Sequence, residues 1–156
     1  MFTWIDWAIL MIVVAATPTV VTADVKQARI PNGVIGFLLI CAAFLSISKI
    51  VVSGSFVAVV VALIVAVVTL GALLGIAALV SDSIGMGDVK LISALAWLLS
   101  LMDPSIFLYS MFATAVLGGV AAAGIVLRGS ASEFAYGPVI MAGSFLGLGY
   151  AVYVGL

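Results

Sequence analysis

The sequence predicts an all-α, polytopic membrane protein with six transmembrane helices in one domain over residues 1–156. Hydrophobic residues make up 67% of the chain and charged residues 7%, and the mean hydropathy is +1.51. A soluble domain carries about 25% charged residues and could not bury this much apolar surface. The apolar residues also form runs separated by short polar joints, and a segment that crosses a bilayer satisfies its backbone groups as a helix.

The first half of the chain contains three apolar runs, predicted as helices over residues 3–22, 34–47 and 56–80. The polar residues 23–33 join the first two runs. A Ser-Gly-Ser turn at residues 53–55 precedes the third. The second run is short, because a membrane crossing takes about 20 residues.

The second half contains three more runs, predicted as helices over residues 88–102, 105–127 and 138–156. The pair Asp103-Pro104 separates the first two, because proline disfavours helix in the residue before it. Pro138 fits the first turn of the last helix, where its missing N–H costs nothing.

Two pairs of glycines, four residues apart, lie inside predicted helices. They are Gly71 with Gly75 and Gly143 with Gly147. Small residues at this spacing allow two helices to approach closely in a membrane. We expect both pairs to pack within one copy of the chain, with a dimer contact as the alternative.

The positions of lysine and arginine predict the orientation of the chain in the membrane. With six crossings, four of the five basic residues lie on one face and only Lys49 on the other. Because basic residues are concentrated in cytoplasmic joints, we expect that face to be cytoplasmic and both termini to lie outside. The charged residues expected at the cytoplasmic face are Lys26, Arg29, Lys90, Arg128, Asp24, Asp82, Asp88 and Glu133.

The types of residue in the chain exclude several kinds of functional site. The net charge is −1 without a basic run, which gives nucleic acid no electrostatic foothold. The chain has no histidine, and Cys41 is its one cysteine, so a His/Cys zinc site and an internal disulfide are excluded. We expect no metal and no cofactor.

Asp24 and Asp88 are the strongest candidate catalytic residues. Two predicted crossings separate them, so both return to the same edge of the bilayer. Gly85 and Gly87 precede Asp88 and leave space for another backbone to approach. Two neighbouring carboxyls can share a proton and activate water. The pattern predicts an acid–base site at this edge.

Each acid also has a simpler interpretation. Asp88 could be the N-cap of its helix, and Asp24 could be an interfacial charge paired with Lys26 or Arg29. Asp82 is a rival to Asp88, although an acid just after a long span is usually solvated.

A serine–lysine dyad is a different route to hydrolysis. Lys90 and Ser93 lie three residues apart on one helix, and we interpret them as an ordinary polar pair.

Three motifs resemble those of the type IV prepilin peptidases, a family of GxGD aspartyl proteases. Residues 85–90, Gly-Met-Gly-Asp-Val-Lys, are similar to its GxGD-x-K motif. Asp24 precedes Arg-Ile-Pro-Asn at residues 29–32, which resembles its first-aspartate motif. Tyr-Gly-Pro at residues 136–138 is similar to a segment before its last helix. The matches keep the family's order and cover nearly the whole chain.

The resemblance implies six membrane helices and an aspartic-type endopeptidase in the cell inner (plasma) membrane. The expected substrate is a prepilin, or a preflagellin-like protein in archaea, whose short basic leader is removed at the cytoplasmic face, typically after glycine. The resemblance implies Asp24 and Asp88 as the catalytic pair, supported by Gly85, Gly87, Lys90, Arg29, Pro31 and Asn32.

The chain differs from the larger members of that family. It has no paired CxxC motifs and no room for the insert that carries them. It therefore resembles the small, peptidase-only branch found in tight-adherence (Flp) pilus systems, and N-methyltransferase activity is not expected.

The expected positions of Asp24 and Asp88 at helix ends predict which is the general base and which is the general acid. A helix N-terminus favours a negative charge and a C-terminus disfavours it. This predicts Asp88 as the base and Asp24 as the acid. The alternative functions are a small proton-coupled transporter that uses one of these acids and a non-catalytic membrane partner of an assembly machine.

Overall fold

The computed structural model describes residues 3–79, 85–127 and 135–155, and these residues form helices without a strand. The all-α prediction is confirmed. Within the described residues the six helices are α1 (Trp4–Gln27), α2 (Asn32–Ser53), α3 (Phe56–Leu79), α4 (Met86–Met102), α5 (Pro104–Leu127) and α6 (Gly137–Val154).

In the part of the chain that the structure describes, five helices are long and apolar enough to cross a membrane, as a polytopic membrane protein requires. The other one, α4, has 17 residues and spans about 26 Å. It is the central helix, because it packs against each of the other five and most of its side chains are buried. In contrast, α3 leaves most of its strongly apolar surface exposed, as expected of a helix that faces lipid.

The joint between α1 and α2 is shorter than predicted. Helix α1 continues through Gln27 instead of ending at residue 22, and α2 begins at Asn32 instead of residue 34. Ala28 ends α1 in a left-handed conformation, with φ at 49°, and its N–H donates to the Asp24 carbonyl oxygen at 2.8 Å. Asp24 therefore lies inside the last turn of α1, where the backbone holds it.

The glycine pair of α6 packs within the chain, as predicted. A Cβ atom on Gly143 would lie 2.8 Å from the Ser110 carbonyl oxygen, and one on Gly147 would lie 2.7 Å from the Ile106 carbonyl oxygen. Both glycines thus let α6 rest on the backbone of α5. The pair in α3 differs, because a Cβ on Gly71 or Gly75 would meet no described atom within 4 Å.

Gly147→Ala is expected to lower the free energy of unfolding by about 1–3 kcal/mol, because the added methyl group overpacks the α5–α6 contact. Gly149→Ala on the same helix is the matched control, since its Cβ would enter open space. Unfolding titrations in detergent would measure both variants. Equal stability of the two would contradict close packing at Gly147.

Candidate active site

A cleft of about 310 Å³ opens at one end of the bundle, where α1 ends and α2 and α4 begin. Seven of the eight residues predicted for the site line it, and the eighth, Pro31, is the N-cap of α2 beside it. The seven are Asp24, Arg29, Asn32, Gly85, Gly87, Asp88 and Lys90.

Asp24 is fixed in this cleft from two sides. Its side chain is 7% exposed, and its Oδ2 accepts a hydrogen bond from the Gly137 backbone N–H at 2.7 Å. Its own carbonyl oxygen accepts the N–H of Ala28. Among the described residues the carboxylate is thus paired with the start of α6, and the simpler interpretation of an ion pair with Lys26 or Arg29 does not describe it.

Asp88 is the third residue of α4 and is half-buried. Gly85 occupies the N-cap position, so the simpler interpretation of Asp88 as the N-cap is wrong. Asp88 lines the same cleft as Asp24. The structure therefore brings the two predicted acids together from the end of one helix and the start of another.

Nearby atoms explain why each of the two positions before Asp88 is a glycine. A Cβ on Gly87 would lie 3.3 Å from the Ile30 Cβ and 3.4 Å from the Ile30 backbone nitrogen. This close approach seats α4 against the α1–α2 joint. A Cβ on Gly85 would lie 3.2 Å from the Asp88 Oδ2, so glycine leaves space beside the carboxyl group.

The remaining motif residues surround the cleft. The Lys90 ammonium donates a long hydrogen bond of 3.5 Å to the Asn32 Oδ1, which links α4 to α2. Arg29 is exposed at the cleft. The Ser93 hydroxyl donates to the Val89 carbonyl oxygen at 2.7 Å, so it is engaged within its own helix and not with Lys90.

The Tyr-Gly-Pro segment contributes two residues that were not among the predicted site residues. Gly137 supplies the N–H that holds Asp24, and Tyr136 places its ring against α5 at Gly118, where a Cβ would lie 2.7 Å from the phenol. Burial and, second, the Asp88 charge raise the pKa of Tyr136. The resemblance of residues 136–138 to a segment before the last helix is the sequence signal for both residues, but it does not predict a contact with Asp24.

Asp6 and Asp103, at the opposite end of the bundle, accept hydrogen bonds at the first turns of helices. Asp6 accepts hydrogen bonds from the Thr3 N–H and hydroxyl, both at 2.7 Å, in a capping box of α1. Asp103 accepts the Ser105 N–H at 2.8 Å before α5. Asp82, Glu133 and Arg128 lie outside the described residues.

The described ranges hold no group of three or more His, Cys, Asp or Glu side chains that could bind a metal ion. Compared with protein-family models, with curated proteins and with solved structures, the chain has no match. The local chemistry of the cleft and the motif resemblance therefore carry the functional argument.

The cleavage activity that the motif resemblance implies should survive chelators and alkylation of Cys41, because the cleft offers two carboxyls and Cys41 lies in α2, away from it. Carboxyl-modifying reagents should abolish the activity. A loss on chelation that a divalent cation restores would point instead to a carboxylate-bound metal.

Proposed function

We propose that the chain is a membrane-embedded aspartic endopeptidase that removes a leader from type IV prepilin-like precursors. One observation carries the proposal. Asp24 and Asp88, which are 64 positions apart in the chain, line the same cleft together with seven other residues of the two motifs. The resemblance to prepilin peptidases supplies the reaction and the substrate class.

The proposed reaction is general acid–base hydrolysis. One ionised carboxylate takes a proton from water as the water oxygen attacks the scissile carbonyl carbon. The other, protonated carboxyl hydrogen-bonds the carbonyl oxygen. Collapse of the tetrahedral intermediate breaks the C–N bond, and the leaving nitrogen takes a proton from the pair. Two like charges in one cleft disfavour double ionisation, which suits a pair that shares one proton.

One hydrogen bond supports the reverse of the role assignment that the two helix ends predict. That expectation rests on Asp24 at the C-terminal end of α1 and Asp88 at the N-terminal end of α4, and both residues lie at those ends. The structure adds the N-terminus of α6, where the Gly137 N–H donates to the Asp24 Oδ2. A bond to an ionised oxygen is charge-assisted and stronger. We therefore propose Asp24 as the base and Asp88 as the proton-bearing partner.

The position of the cleft in the bundle supports the choice of substrate. The acids lie at the end of the bundle that carries Lys26, Arg29 and Lys90, which the distribution of basic residues predicts to be cytoplasmic. A precursor with a short basic leader and an apolar helix would place its cut site at this edge. We propose the inner (plasma) membrane and the small, peptidase-only branch, without N-methylation.

The transporter alternative has less support. A transporter site is expected near the bilayer midplane, often between broken helices. Here Asp24 lies in the last turn of α1 and Asp88 in the first turn of α4. The pair is thus terminal within the bundle.

The direct test uses the purified protein in lipid vesicles with a prepilin-like precursor, a basic leader ending in glycine before an apolar helix. Mass spectrometry should find two products whose masses sum to the precursor plus one water. An intact precursor with folded protein would refute the proposal. Proton uptake into the vesicles that requires Asp24 or Asp88, without cleavage of the precursor, would support the transporter.

Cysteine labelling in a Cys41→Ser background should place residues 26, 29 and 128 on the cytoplasmic side and residue 49 outside. The reason is the four-to-one bias of basic residues under six crossings. Labelling of residues 26 and 128 from opposite sides would contradict an even number of crossings between them.

A further inference from the structure

A groove of about 380 Å³ lies between α2, α3 and α4, on the side of the bundle. Its floor is apolar and buried, and includes Ile35, Ala66 and Ala94. Its rims are also apolar but exposed, with Leu39 on α2 and Val67 on α3. Both of these helices are long and apolar enough to cross a membrane. The groove therefore opens toward the hydrocarbon of the bilayer.

The two ends of this groove differ in chemistry. Lys90 lies at one end, near the start of α4, and Trp97 lies at the other, about 10 Å further along the same helix. The Trp97 indole N–H donates to the Ser46 hydroxyl at 3.1 Å, which holds the ring in place. The Ser93 hydroxyl between these two ends is engaged within α4. The groove is thus an apolar channel with one cation at its mouth.

The charge of Lys90 is available to a ligand. Lys90 is exposed, and within the described residues its ammonium makes one long hydrogen bond, 3.5 Å, to the neutral Asn32 side chain. The other N–H groups of the ammonium can still donate. Arg29, a second exposed cation, lines the cleft beside Lys90, whereas Asp24 and Asp88 line that cleft but not the groove. The mouth of the groove therefore favours an anionic group.

We propose that this groove binds one acyl chain of an anionic phospholipid, with the lipid phosphate on the Lys90 ammonium. An extended hydrocarbon chain is about 4 Å across at van der Waals contact, so it fits along the floor from Lys90 to Trp97. A helix is about 10 Å across, and a stretch of it as long as the groove would occupy roughly 800 Å³, about twice the groove. The bilayer supplies the ligand, and the inference does not depend on the proposed peptidase function.

The fluorescence of Trp97 reports on the inner end of the groove. Trp4 and Trp7 are exposed and are replaced by phenylalanine, which leaves Trp97 as the one tryptophan of the chain. The protein is reconstituted in phosphatidylcholine vesicles with a rising fraction of phosphatidylglycerol or phosphatidylethanolamine, each brominated at the middle of its acyl chains. Quenching by phosphatidylglycerol should reach half its maximum at a mole fraction at least about threefold lower, because a basic residue at the membrane surface attracts an anionic lipid by about this factor.

Lys90→Gln tests the contact with the headgroup. Glutamine can still donate to Asn32 but carries no charge, so both lipids should then quench Trp97 at equal mole fractions. Lys26→Gln is the matched control, because Lys26 is exposed at the same end of the bundle and does not line the groove. The control should keep the preference of the wild-type protein. An equal loss of preference in both variants would show general attraction to the surface and would refute a site at Lys90.

Ala66→Phe tests the position of the acyl chain, because the added ring fills the floor of the groove. It should abolish the saturable part of the quenching by phosphatidylglycerol. Val68→Phe on the same helix is the control, since Val68 is exposed and does not line the groove. The two lipids are compared within one variant, so the folded fraction cancels. Equal quenching by both lipids in the wild-type protein, or saturable quenching that persists in Ala66→Phe, would overturn the proposal.

Discussion

Asp24→Asn and Asp88→Asn are each expected to lower the rate of precursor cleavage at least about a thousandfold. Asparagine keeps the shape of the side chain but cannot exchange a proton, and general acid–base catalysis contributes about 10²–10⁴-fold for each group. The Gly137 N–H can still donate to the side-chain oxygen of asparagine at position 24, so folding should be preserved. Single-turnover assays in vesicles would measure the loss.

Asp103→Asn is the matched control for these variants. Asp103 lies at the opposite end of the bundle and accepts the Ser105 N–H, a bond that asparagine can also accept. Its activity should stay near wild type. Near-normal cleavage by either catalytic variant would contradict the two-aspartate mechanism. An inactive Asp82→Asn beside an active Asp88→Asn would show that the motif acid was assigned wrongly.

Gly137→Ala is expected to lower cleavage about a hundredfold with little loss of folded protein. The added Cβ would lie 2.9 Å from the Asp24 Oδ2 and 3.1 Å from its Cγ, so the carboxyl group must move. A misplacement of about 1 Å at a reacting group can cost about this much in rate. Cleavage rate and circular dichroism, measured on the same preparation, would separate catalysis from folding.

Gly149→Ala again provides the control on α6, because its Cβ meets no described atom within 4 Å. Alanine is the better helix former, so propensity favours both variants. A selective loss in Gly137→Ala would follow from the displaced carboxyl group. Wild-type activity in Gly137→Ala would mean that the position of Asp24 does not depend on this backbone contact.

The helices and the meeting of the two acids were predictable from the sequence. Long apolar runs are a strong signal of membrane helices, because only a helix satisfies the backbone polar groups of a single segment in lipid. The parity of two intervening crossings then brings Asp24 and Asp88 to one end of the bundle. The cleft in which they meet is consistent with that reasoning.

The details that orient Asp24 were not predictable in the same way. Its hydrogen bond to Gly137 joins residues 113 positions apart, and only the packing of α6 on α1 creates it. The left-handed Ala28 ends α1 where glycine or asparagine is the usual signal, so the helix was expected to end earlier. Local patterns carry no information about such contacts.

The most direct test of a shared acid pair is the single-turnover cleavage rate of the Asp24→Asn/Asp88→Asn double variant, measured beside both single variants. If the two acids act as one unit, the double variant should be about as slow as the slower single variant, because losing either acid already disables the step. If the two losses multiply, the acids contribute independently, and a single two-aspartate site is contradicted.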